Sequence, residues 1–132
     1  MGKQAKTSLP HEFRKIRLEL AREPGHPGGS NATGYDILAP LDANDRLSVD
    51  IWRAHKDACR VHRFHEGEDD QVGRLARRPG GAWYFDYDEN RPEDDESGHR
   101  LGDERFVLGE YVSVKDEHGH MHTYRVVSVR PL

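Results

Sequence analysis

This chain of 132 residues has few of the residues that staple or fill a protein. Its single cysteine, Cys59, rules out an internal disulfide. Leu, Ile, Val and Phe together make up about one residue in five, a fraction that borders on disordered composition. No apolar run approaches the length of a membrane-spanning helix, and the first ten residues contain nothing like the apolar core of a signal peptide. The expectation is a soluble, cytoplasmic protein with no membrane partner. Met1-Gly2-Lys3 opens like a myristoylation signal, but Lys6 stands where Ser or Thr is required. A large excess of one charge is also missing, since 20 Lys and Arg face 24 Asp and Glu. That mild acidity argues against a general nucleic-acid binder.

What the chain does have is alternation and turn punctuation. Thirteen Gly and seven Pro are spread along it, as in all-β folds. The last twenty or so residues are the most explicit. Glu110-Tyr-Val-Ser-Val-Lys115 and His120-Met-His-Thr-Tyr-Arg-Val126 read as two strands around a tight turn. Asp116 suits the first turn position because its carboxylate can accept a backbone N–H two residues on. Gly119 suits the fourth, where a left-handed residue is needed. This closure pairs Val114 with His122, Val112 with Tyr124 and Glu110 with Val126. One face then carries Leu108, Val112, Val114, Tyr124 and Val126, whereas a slip of one residue would mix the faces.

Other segments follow the same pattern. In Phe13 to Arg22, Ile16, Leu18 and Leu20 oppose Lys15, Arg17 and Glu19. Residues 23–34 form a glycine- and proline-rich loop, and Tyr35 to Leu41 reads as the next strand. Leu47 to Ala58 is ambiguous: it reads as a strand start followed by a short helix near 50–58, with Ser48 or Asp50 as cap. Cys59 to Glu66, Gln71 to Arg77, Ala82 to Asp88 with its aromatic face, and Glu104 to Lys115 complete the strands. The expected organisation is a tail over 1–10 and one β domain over 11–132 with a long acidic loop at 89–103. The fold class is mainly β: an antiparallel meander of seven or eight strands closing into a small barrel or barrel-like sandwich, because open edges invite aggregation.

Chemistry is harder to read. His120 and His122 share a strand face, and the hairpin register brings Asp116 beside them, while His118 falls at the loop tip. Two imidazoles and a carboxylate could hold a divalent metal such as Zn, Ni or Fe, although His122 opposite Val114 also suits a core rim. His62 or His65 could supply a fourth ligand. Asp86-x-Asp88-x-Asn90 starts like a calcium loop, but Arg91 replaces the required Gly and Ser97 the bidentate Glu. The glycines of 25–34 could cradle a phosphate only before a helix, and a strand follows them. Arg74, Arg77 and Arg78 near Trp83 and Tyr84 could bind an anion or stack on bases, or form a solvated hairpin edge. Cys59 alternates with Val61, which makes it a small buried hydrophobe.

Several phrases taken together point to relatives: Ile16-Arg-Leu-Glu-Leu-Ala-Arg22, Tyr35-Asp-Ile-Leu-Ala-Pro-Leu41, Pro79-Gly-Gly-x-Trp83-x-Phe-Asp-Tyr-Asp88 and Gly109-Glu-Tyr-Val-Ser113. Across residues 13 to 130 the chain resembles a small family of bacterial, largely proteobacterial, proteins with no assigned activity. The resemblance implies a bacterial cytoplasmic protein and transfers no site residue. The functional expectation is a non-enzymatic barrel that binds a protein partner or a small ligand. A ligand cavity, if present, would be lined by Trp83, Phe85 and Tyr124. The alternative is a metal-binding protein or metal-dependent enzyme built on Asp116, His120 and His122.

Overall fold

The computed structural model describes residues 9–88, 96–98 (backbone only), 101–116 and 118–132. Half of the chain is strand and 11% is helical, so the protein is mainly β. The strands are β1 (Phe13–Leu20), β2 (Ser30–Pro40), β3 (Arg60–Phe64), β4 (Gln71–Arg77), β5 (Trp83–Tyr87), β6 (Glu96–Gly98), β7 (Tyr111–Lys115) and β8 (Met121–Pro131). Each pairs antiparallel with the next, and β8 returns to β1. The seams differ in strength. β1 pairs with β8 all the way from Arg14 to Leu20, whereas the three-residue β6 meets β7 only at Ser97–Lys115. Seven strands therefore form a curled half-barrel, and β6 completes the ring.

Alternation explains which side chains fill it. Ile16, Leu18 and Leu20 point inward from β1, as do Tyr35, Ile37 and Ala39 from β2, Trp83, Phe85 and Tyr87 from β5, and Val112, Val114, Tyr124 and Val126 from the last hairpin. Tyr35 sits at the centre, its ring 5.1 Å from both Phe85 and Tyr124. The one short helix, α1 (Val49–Ala54), closes the barrel end. Ser48 caps it by accepting from the Ile51 N–H at 3.4 Å. Its Trp52 packs edge-on against Trp83 at 5.2 Å and donates Nε1–H to the Leu75 carbonyl at 2.9 Å. A 3₁₀ turn over Lys56–Ala58 follows, so the expected helix near 50–58 is two short pieces. Cys59 is buried beside it, and burial pushes its thiol up to about 12. Ellman's reagent should leave Cys59 untouched in the folded protein and titrate one thiol after denaturation. Rapid modification of the native protein would contradict this packing.

The final hairpin forms in the expected register, with Val112 opposite Tyr124 and Val114 opposite His122. Asp116 Oδ1 accepts the N–H groups of His118 and His120 at 2.9 and 2.8 Å, and Gly119 adopts φ +82°. Three expectations need correction. β2 begins at Ser30, not Tyr35, because its pairing with β1 resumes beyond a bulge: Glu19 faces Gly34 while Leu20 faces Ser30. Residues 104–110 are not strand. Phe106 is buried there, its N–H donating to the Asp45 carbonyl at 2.8 Å, and Gly109 turns the chain at φ +91°. That turn throws Leu108 outward, where it is 67% exposed and not on the inner face. Of the expected tail, residues 1–8 lie outside the described residues, and Leu9 packs against the core. Of the acidic loop, 89–95 and 99–100 lie outside them, while 96–98 is β6 and Leu101–Asp103 is a 3₁₀ turn with Leu101 buried.

Candidate functional site

The histidines were the first sites expected. Asp116 and His122 do meet: His122 Nε2 lies 3.0 Å from Asp116 Oδ2. The other ring nitrogen, Nδ1, lies 3.1 Å from Glu23 Oε1, on the loop between β1 and β2. An imidazole facing a carboxylate at each nitrogen is favoured in its doubly protonated form. His120 stands aside, 76% exposed with Nδ1 3.8 Å from Asp116. A metal held by Asp116 and His122 would have to displace the proton between Nε2 and Asp116 Oδ2, while Nδ1 could stay hydrogen-bonded to Glu23. His62 and His65 are on β3 and the turn after it, engaged with Asp70 at 2.8 Å and Glu68 at 3.6 Å. Among the described residues, no group of three or more His, Cys, Asp and Glu converges as a metal site.

The bridge has a predictable pH signature. Burial pulls the His122 pKa down, but hydrogen bonds and charge from Glu23 and Asp116 outweigh it and raise the value above its ordinary one. Burial pushes Asp116 up, yet the His120 N–H, the His122 ring and the His118 N–H bring it below the usual carboxylate range. The raised His122 stabilises the fold fully below its ordinary value and loses that effect as pH rises through its folded value. The lowered Asp116 contributes above its ordinary value and loses its effect as pH falls through the folded one. Both therefore act together between about pH 4 and 6.5. Urea unfolding of His122→Gln should show a deficit of about 1 kcal/mol at pH 5.5 that narrows toward pH 8.5. A deficit that is constant across that range would rule the bridge out.

The other expected sites dissolve into local pairs. Asp88 is bound to Arg60 at 2.6 Å, and Asp86 sits opposite Arg74 in the β4–β5 register; the rest of the calcium-like phrase, 89–95, lies outside the described residues. Arg74 pairs with Asp57 at 2.9 Å, Arg77 lies over Trp83 at 5.6 Å and Arg78 over Tyr84 at 4.1 Å. The three arginines therefore form no joint anion patch. Trp83, Phe85 and Tyr124 point inward and meet other rings.

A different site lies on the outer wall of the barrel. Register aligns a row of outward side chains across five strands: Ser128 (β8), Arg17 (β1), Asp36 (β2), His62 (β3) and Val72 (β4). A second row beside it begins Arg130, Lys15, Leu38. With Arg60 they enclose a cleft of about 490 Å³. Several of its charges are already engaged. Arg17 is held by Glu19 at 2.9 Å and Asp36 at 3.0 Å, which raise its pKa further, and it stacks over Phe64 at 4.3 Å. Arg60 is held by Asp88, and His62 by Asp70. Lys15 and Arg130 are different. They stand side by side in the β1–β8 register, exposed, and neither meets a carboxylate among the described residues.

A second cleft, of about 1010 Å³ at the β1–β2 bulge, sets Arg22 and Arg125 against Glu19 and Glu66 and shows no dominant charge. Of the outer-wall residues, Lys15 and Arg17 were legible as the polar side of an alternating strand. Their convergence with Arg130 and Ser128 was not, because β8 is brought beside β1 only by barrel closure. No family model, curated protein or solved structure matches this chain. No described helix is long and apolar enough to cross a membrane.

Proposed function

We propose that the protein is a binding module that takes an anionic ligand in the cleft on the outer wall of β8, β1, β2, β3 and β4. The observation that carries this reading is the Lys15–Arg130 pair, two adjacent cations without a carboxylate partner among the described residues, in a site where every neighbouring cation has one. Adjacent like charges on facing strands are destabilising by themselves, and an anion shared between them removes that cost. A binding role, rather than a catalytic one, is supported by the side chains available. The Cys59 thiol is buried with its pKa pushed up to about 12, and His122 is fixed between two carboxylates. Neither borders the cleft.

The test is a ¹⁵N–¹H NMR titration with inorganic phosphate at low ionic strength. Shifts should concentrate at Lys15, Arg130 and Ser128, and should disappear in Lys15→Glu/Arg130→Glu. Shifts spread evenly over all exposed basic residues would discard the reading.

A further inference from the structure

The ligand class can be narrowed further, and the narrowing rests on the anion-binding reading above. From the separation of occupied and unoccupied charges along the cleft, we infer that its ligand is a small amphipathic anion: one carboxylate-like head with an unbranched aliphatic body. The head has one place to go. Arg17 and Arg60 are satisfied by Glu19, Asp36 and Asp88, so an incoming carboxylate competes with bound carboxylates there and, among the described residues, with none at Lys15 and Arg130. Those two lie at the β8–β1 end of the cleft.

The outer wall of the cleft also carries two apolar side chains. Leu38 neighbours Lys15 directly across β1–β2, and Val72, 49% exposed, neighbours His62 across β3–β4. The outward side chains between Leu38 and Val72 are Asp36, Arg60 and His62, each held in an ion pair, over the sheet backbone at Ile16, Ile37 and Val61, whose side chains point into the barrel. The clamped arginines have a second effect. Held at their heads, Arg17 and Arg60 present their aliphatic stems along the cleft instead of competing for the ligand. From Lys15 on β1 to Val72 on β4 the cleft crosses three strand spacings, about 14 Å. A volume of about 490 Å³ suits a molecule of medium chain length. No Phe, Tyr or Trp ring lines the cleft for a planar body to stack on. A dianionic ligand is disfavoured, since Asp36 and Asp70 lie toward the far end beside His62.

Decanoate, decanol and acetate separate the components in the full-length protein. Calorimetry at low ionic strength and below micellar concentration should show decanoate binding at least about tenfold tighter than either acetate or decanol. Val72→Ser should weaken decanoate about threefold and leave the phosphate shifts at Lys15 and Arg130 unchanged. Lys15→Glu/Arg130→Glu should weaken decanoate about tenfold or more. Circular-dichroism melting of each variant verifies that the fold persists. If phosphate and acetate shift Lys15 and Arg130 but decanoate binds no tighter than acetate, the amphipathic inference is overturned and the anion-binding reading survives. If no anion shifts those residues, both fall. An acidic leucine-containing peptide that shifts the cleft when decanoate does not would overturn the inference in favour of a protein partner.

Discussion

Gly34→Ala should lower the melting temperature by about 10 °C or prevent folding, the largest effect expected of any single methyl group added to this chain. Gly34 lies at the bulge where β1 and β2 change register, with Glu19 opposite it and Leu20 opposite Ser30. A Cβ built there would lie 1.9 Å from the Leu18 carbonyl oxygen and 3.0 Å from the Phe64 ring. The ring can swing away, but the carbonyl belongs to β1 and cannot move without opening the β1–β2 ladder. Strands of a small closed barrel approach this closely only where a side chain is missing. Gly73 is the counterpart on β4, where a Cβ would meet the Asp86 carbonyl oxygen at 2.3 Å. Gly80 is the control, since nothing lies within 4 Å of its Cβ position. Gly80→Ala should stay within about 0.5 kcal/mol of the parent in urea unfolding. A Gly34→Ala protein that melts with the parent would mean that the β1–β2 bulge is not as close as described.

Trp52→Ala should cost about 3–5 kcal/mol, the second large effect. Trp52 is only 6% exposed although it comes from a six-residue helix, too short to be stable alone. Its indole covers the barrel end against Trp83 and satisfies the Leu75 carbonyl. Two losses therefore coincide: a large cavity at the barrel end, and a buried carbonyl left without its donor. Trp52→Phe separates them, because the ring remains and the Nε1–H does not. It should cost about 1–2 kcal/mol, mostly from the orphaned acceptor. If Trp52→Phe proved as damaging as Trp52→Ala, the hydrogen bond would outweigh packing in sealing the barrel.

The sequence made local pairings legible wherever the physical cause is short-range. The last hairpin could be set in register because Asp116 and Gly119 each satisfy a turn requirement within five residues. The inward faces of β1, β5, β7 and β8 could be named because strand alternation repeats every two residues regardless of what the strand packs against. The same reasoning failed at Leu108, where Gly109 turns the chain before the alternation can extend. It also missed the extension of β2 back to Ser30, whose pairing depends on a bulge in the facing strand.

The candidate site divides the same way. Asp116 beside His122 followed from the hairpin, but Glu23, the partner that turns the pair into a bridge, is nearly a hundred residues away in sequence. The cation pair of the outer cleft is more distant still, since Lys15 is near one end of the chain and Arg130 near the other. Turn chemistry and period-two burial act between near neighbours, so an antiparallel β protein with its last hairpin in one register can be read from the residues alone. Which polar faces meet depends on closure instead. Closing the barrel joins β8 to β1, and charges that are merely solvated on separate strands become paired, or left unpaired, according to which strand lies beside them.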